Sequence, residues 1–170
     1  MQKRILAIAV ALAVAVPALT FGQAKTDFSG TWSFDEAKSD PAGGPGGGGG
    51  GGGRPGGGAG GGTPTKLVIK QTAGEVTIEQ TLPNGAQTVV YKLDGSESVN
   101  KVAMGESKAK ASWDGANLVI AGKRSISTPQ GDFEIDVKDV YSLASGVLTI
   151  TATRVTPRGE TTRKLVYNKG

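Results

Sequence analysis

Between Lys66 and Lys169, glycine falls at positions 74, 85, 95, 105, 115, 122, 131, 146 and 159. That interval, roughly one every ten residues, is the interval of turns between short strands. Most of these glycines sit in reverse-turn contexts: PNGA, LDGS, WDGAN, PQGD and PRGE. Glycine supplies the positive φ that tight hairpins need, and Asn or Asp tolerates it. Between the turns run stretches rich in Val, Ile and Thr in which apolar and polar residues alternate, and no window repeats with a helical period. A chain punctuated in this way folds as successive hairpins, in a sandwich or a barrel.

The alternation divides each stretch into a dry and a wet face. The dry face reads Phe28, Trp32 and Phe34; Leu67 and Ile69; Val76, Ile78 and Leu82; Val89, Tyr91 and Leu93. It continues through Ala109, Ala111 and Trp113; Leu118 and Ile120; Phe133, Ile135 and Val137; Leu148 and Ile150; and Leu165 and Tyr167. The other face carries Glu75, Glu79, Lys108, Lys110, Asp132, Glu134, Asp136 and a run of threonines. The stretch 97–104 stays open, because Val99 and Val102 disagree in phase and a bulge between them would reconcile the two. The expectation is an all-β chain: a single antiparallel up-and-down β-barrel of about ten strands. A charged outer face excludes a membrane barrel, which needs an apolar outer band.

Two segments stand apart from this pattern. The first, MQKRILAIAVALAVAVPALTFGQAKT, has Lys3 and Arg4, then an apolar run, then small residues ending at Ala24. That is the layout of a secretory signal peptide over residues 1–24, and it implies export to the periplasm or the extracellular space. Residues 25–40 then hold the first strand, and 66–170 the remainder of the barrel. Between them, residues 41–65 hold sixteen of the twenty-eight glycines and four of the eight prolines. Such a Gly/Pro-rich stretch has little to bury and loses much backbone entropy on ordering, so a disordered loop is expected there.

Once Lys3 and Arg4 are removed with the leader, seventeen basic residues face fifteen acids, too small an excess to argue for nucleic acid. The chain has no cysteine and no histidine. Disulfides, ordinary zinc sites, Cys-His and Ser-His-Asp nucleophile systems and thiol redox chemistry all lack their parts. No integral membrane span is expected after the leader, and the chain reads as a monomer.

With that architecture, the segment DFSGTWSF becomes informative. Gly-x-Trp on a first strand resembles the lipocalin and calycin group. The whole region from 27 to 169 resembles small exported bacterial lipocalin-like proteins, through DFSGTWSFDEAKSD, the Gly/Pro tract, YKLDGSES, WDGANLVI and TPRGETTRKLVY. The resemblance implies that Trp32 packs across the closed end of the barrel and that a basic side chain of the last strand lies over its ring. Arg163, on the face of Leu165 and Tyr167, is the residue expected there, with Gly30 allowing backbone and ring to approach closely. Unlike lipocalins proper, the chain has no helix signal and no cysteine. Arg163 and Tyr167 are also further apart than the Arg and Tyr of the fatty-acid-binding type.

Four charged residues fall on the dry face: Arg124 continues Leu118 and Ile120, Arg154 continues Leu148 and Ile150, Arg163 precedes Leu165, and Asp139 lies between Val137 and Tyr141. One reading makes an arginine the anchor for the carboxylate or phosphate of a small apolar or amphipathic anion, with Asp139, Tyr141 and Tyr167 around it. In the other, strand-end arginines reach the rim and Asp139 pairs internally with one of them, or is turned outward by a bulge near Lys138. The carboxylate pair Glu134 and Asp136 lies on the wet face, with no cleft implied. No nucleophile–base pair can be assembled, so no catalytic residue, metal site or cofactor is expected. The chain is therefore expected to be a non-catalytic exported barrel that binds a small anionic ligand. The alternative is a packed barrel acting as a structural or interaction domain, with the glycine tract as spacer.

The leader makes a direct prediction. Protein recovered from its host's exported fraction should begin at Lys25 by N-terminal sequencing or intact mass; a chain retaining Met1 would contradict the signal-peptide reading.

Overall fold

The computed structural model describes residues 25–41, 62–103, 105–128, 131–157 and 159–170. The expected leader, 1–24, and most of the expected glycine-rich loop, 42–61, lie outside the described residues. The rest forms ten strands: β1 (Gly30–Phe34), β2 (Lys66–Gln71), β3 (Glu75–Leu82), β4 (Gly85–Lys92), β5 (Glu97–Val102), β6 (Gly105–Asp114), β7 (Asn117–Thr128), β8 (Gly131–Ala144), β9 (Val147–Thr156) and β10 (Gly159–Lys169). The only helical piece among the described residues is a 3-10 turn, Glu36–Lys38, and no described helix is long and apolar enough to cross a membrane.

The strands form one antiparallel sheet in the order β4-β3-β2-β1-β10-β9-β8-β7-β6-β5. Chain order and sheet order therefore differ at two places only. The first strand pairs with the last, Trp32 opposite Lys169 and Phe34 opposite Tyr167. The sheet's two ends, β4 and β5, meet at a seam bridged by side chains. The Asn100 carboxamide accepts from the Val90 N–H at 2.8 Å and donates to the Val90 carbonyl at 2.9 Å. The Lys92 N–H donates to Ser98 Oγ at 2.9 Å and the Ala103 N–H to Gln87 Oε1 at 3.1 Å. Side-chain amides and hydroxyls here satisfy edge groups that a further strand would otherwise take. The result is a nearly closed antiparallel barrel.

This seam settles the open stretch. Residues 97–102 pair with β6 without a break, so no bulge is present. Ser98, Asn100 and Val102 point inward, whereas Val99 is 56% exposed. Valine was a misleading guide to phase because the inward positions of β5 are needed for polar bridging.

Phe28, Trp32, Ile69, Val76, Ile78, Leu118 and Leu148 are buried in the main core. The Trp32 indole N–H donates to the Phe28 carbonyl at 3.0 Å. Gly30, between them, has φ +145, a conformation that costs a side-chain-bearing residue strain. A Cβ at Gly30 would stand 3.7 Å from the indole, an ordinary contact. The glycine is thus needed for backbone conformation rather than for the close approach expected from sequence. The basic partner also differs from expectation. Lys169 Nζ lies 5.7 Å from the Trp32 ring centroid, because Lys169 is the direct cross-strand partner of Trp32. Arg163 shares that face but is six residues, roughly 20 Å, further along β10.

Small residues have a separate cause. A Cβ on Gly122 would collide with the Lys108 carbonyl and with Ala109, so β6 and β7 are pressed together at a barrel corner. The smallness of Ala109 belongs to this crossing. Beyond it, Ile126, Ile135 and Val137 form a second cluster, and Phe133, though in the inward phase, is 37% exposed near the start of β8.

Replacing Trp32 by Ala should lower the unfolding free energy by ~3–5 kcal/mol in chemical denaturation. Replacing Lys169 by Met should shift tryptophan emission, and replacing Arg163 by Met should not. An unchanged Trp32→Ala midpoint, or a response to Arg163 alone, would contradict this closure.

Candidate functional site

The four inward-phase charges come together. Arg124 on β7, Asp139 on β8, Arg154 on β9 and Arg163 on β10 all border one cavity of about 230 Å³, as do Tyr141 and Tyr167. They do so because the ladders β7–β8 and β8–β9 run without interruption. Inward phase is therefore kept through Lys138, and Asp139 is not turned outward. The apolar wall comes from Leu67, Val89, Ile150 and Leu165, and Ala152 leaves room where a larger side chain would fill the space. Ala109 and Ala111, the other inward alanines, do not border it.

The three arginines are held differently. Asp139 sits opposite Ala152, so Arg154 is its diagonal neighbour across the ladder. Arg154 Nη1 donates to Asp139 Oδ1 at 2.6 Å and to the Thr153 carbonyl at 2.8 Å. Burial works against the Arg154 charge, but the Asp139 carboxylate outweighs it and raises the guanidinium pKa. Arg163 reaches the other way: Nη2 donates to the Asp40 carbonyl at 3.0 Å and Nη1 to Thr63 Oγ1 at 3.3 Å. It thereby joins the two ends of the chain flanking residues 42–61, and the Tyr167 hydroxyl donates to the Pro64 carbonyl at 3.1 Å beside it.

Arg124 is held by neither device. Its cross-strand partners are Ser107 and Ile135, and Tyr91 borders the same cavity. Arg124 Nε is buried with no hydrogen-bond partner, and its guanidinium makes no ion pair among the described residues. Burial, then the neighbouring Arg154 charge, lowers its pKa. The described cavity wall thus carries three cations and a single carboxylate.

Sequence reasoning placed Tyr91 in the core, where it also borders this cavity, and passed over Gln80 and Gln87, which line it. Both glutamines are in phase with apolar neighbours, Ile78 and Val89, and that was the available signal. Glu134 and Asp136 lie on the outer face, Glu134 3.6 Å from Lys123. A shallow depression of about 430 Å³ on that face, over β7 to β9, lies outside the barrel and is open to solvent.

All three tyrosines of the chain lie here. Burial first, and the Asp139 charge second, push Tyr91 up to about 12. Burial is the leading cause of the upward shifts of Tyr141 and Tyr167 as well. A folded pKa above the unfolded value of about 10 holds the phenol protonated. That contribution to stability is complete below pH 10 and is lost as pH rises through the folded values. No phenolate absorbance should appear near pH 10 in the folded protein, and its rise at higher pH should accompany loss of near-ultraviolet circular dichroism. A tyrosine ionising at an ordinary pH in the intact fold would contradict the burial described.

No family model and no curated protein matches the chain. Among solved structures it is similar to the zebrafish ileal bile acid-binding protein complexed with cholic acid, at 23% identity over 62% of this chain and 72% of that one, with a TM-score of 0.45. It is also similar to a secretory abundant heat soluble protein from Ramazzottius varieornatus, at 22% identity over 62% of this chain and 70% of that one, again with a TM-score of 0.45.

Proposed function

We propose that the protein is an exported, non-catalytic binding protein that holds a small amphipathic anion inside its barrel, with the anionic group on Arg124. The observation that carries this reading is the Arg124 guanidinium, half-buried against a cavity of about 230 Å³ with Nε unpartnered and cations outnumbering carboxylates around it. A desolvated cation without a partner is unfavourable. A carboxylate entering the cavity supplies two acceptor oxygens in the geometry a guanidinium fork prefers. Leu67, Val89, Ile150 and Leu165 offer the body of the ligand an apolar wall. Arg154 is paired with Asp139, so Arg124 is left as a cation without a carboxylate partner among the described residues, which favours an anion over a neutral molecule. The small net charge leaves recognition to these local groups rather than to long-range steering.

Matched acids and alcohols test the reading: benzoate against benzyl alcohol, and dodecanoate against dodecanol, by isothermal titration calorimetry. At least one acid should bind tenfold or more tightly than its alcohol, about 1.4 kcal/mol. Arg124→Gln should erase the preference, whereas Lys123→Gln on the outer face should keep it. Equal affinities would reduce the site to an apolar cavity. Binding of none of the four would favour the packed barrel as an interaction domain.

A further inference from the structure

We infer that the ligand is a compact acid of about the size of benzoate, aromatic or branched, and not a long-chain fatty acid. The inference rests on the anion-binding reading above and adds the size and shape of the molecule.

Three observations bound the occupant. The first is volume. An apolar protein cavity of about 150 Å³ takes a benzene ring, so about 230 Å³ at the same filling takes roughly nine non-hydrogen atoms, the size of benzoate. A hexadecanoate chain has about twice that number and exceeds the space. The second is what fills the barrel beyond the cavity. Phe28 stacks on Trp113 with ring centroids 6.2 Å apart and meets Tyr141 edge-on at 6.3 Å. With Trp32 and Leu118 these rings belong to or pack against the main core on that side of the cavity. The third is the other side of the cavity. Gly62, Thr63 and Pro64 border it, held there by Arg163 and by the Tyr167 hydroxyl.

The wall chemistry agrees with a ring. Tyr91, Tyr141 and Tyr167 all face this cavity, and aromatic side chains receive a ring in offset or edge-on contact. A carboxylate on Arg124 then leaves a ring-sized body among the tyrosines and the aliphatic wall, whereas most of a long flexible chain would lie outside the cavity volume and lose that apolar contact.

A size series on the purified full-length protein tests the inference: benzoate, phenylacetate, octanoate, dodecanoate and hexadecanoate, with benzyl alcohol as the neutral control, by calorimetry. Benzoate and phenylacetate should bind most tightly, with dodecanoate and hexadecanoate at least tenfold weaker and benzyl alcohol at least tenfold weaker than benzoate. Ala152→Leu, which fills the cavity, should weaken benzoate at least tenfold while near-ultraviolet circular dichroism stays that of the wild type. If that variant unfolds, the series on the unaltered protein decides. Long acids binding as tightly as benzoate, with the binding lost in Arg124→Gln, would overturn the size inference and leave the anion site standing. Binding of none of the acids would overturn both.

Discussion

Pairing of the first strand with the last is the constraint from which the rest follows. It needs Trp32 opposite Lys169 and Gly30 at a φ that lets the Phe28 carbonyl reach the indole N–H. Once these ends join, alternate residues of every strand are committed to the interior. The sheet's own ends then fall between β4 and β5, where Asn100, Ser98 and Gln87 stand in for ladder hydrogen bonds. A polar interior face on β5 is therefore a consequence of where the sheet closes, not an exception to the hydrophobic pattern.

The same commitment carries charges inside. On β7, β8, β9 and β10 the inward phase brings Arg124, Asp139, Arg154 and Arg163 to one cavity. A single carboxylate cannot compensate three guanidinium groups. Asp139 takes Arg154, and backbone and hydroxyl oxygens of the chain around Asp40 and Thr63 take Arg163. Arg124 is left beside Tyr91, Ser107 and an aliphatic wall. The electrostatic asymmetry of the cavity and the apolar packing around it come from one cause, the register of four adjacent strands, and together they are what the proposed anion-binding function rests on.

The strand count, the antiparallel order and the inward phase were legible in the sequence because turn glycines and a period of two are local signals. Arg124, Asp139, Arg154 and Arg163 could be placed indoors for the same reason. What local signals do not carry is position along a strand relative to a distant partner. Arg163 and Lys169 share a face, and only the β1–β10 register puts Lys169 rather than Arg163 over Trp32. The pairing of Asp139 with Arg154 is likewise a diagonal contact set by register. Val99 misled because a seam is a property of the whole barrel, and the small size of Ala109 on the dry face has a cause that only the crossing at Gly122 reveals.

The central claim is that Arg124 is the anion anchor, and side-chain NMR addresses it directly. In a titration of 15N-labelled protein with benzoate, the Nε–Hε resonance of Arg124, assigned by its loss in Arg124→Gln, should move saturably and by more than those of Arg154 and Arg163. A benzoate titration in which the Arg124 resonance stays fixed, whether or not other signals shift, would contradict the account.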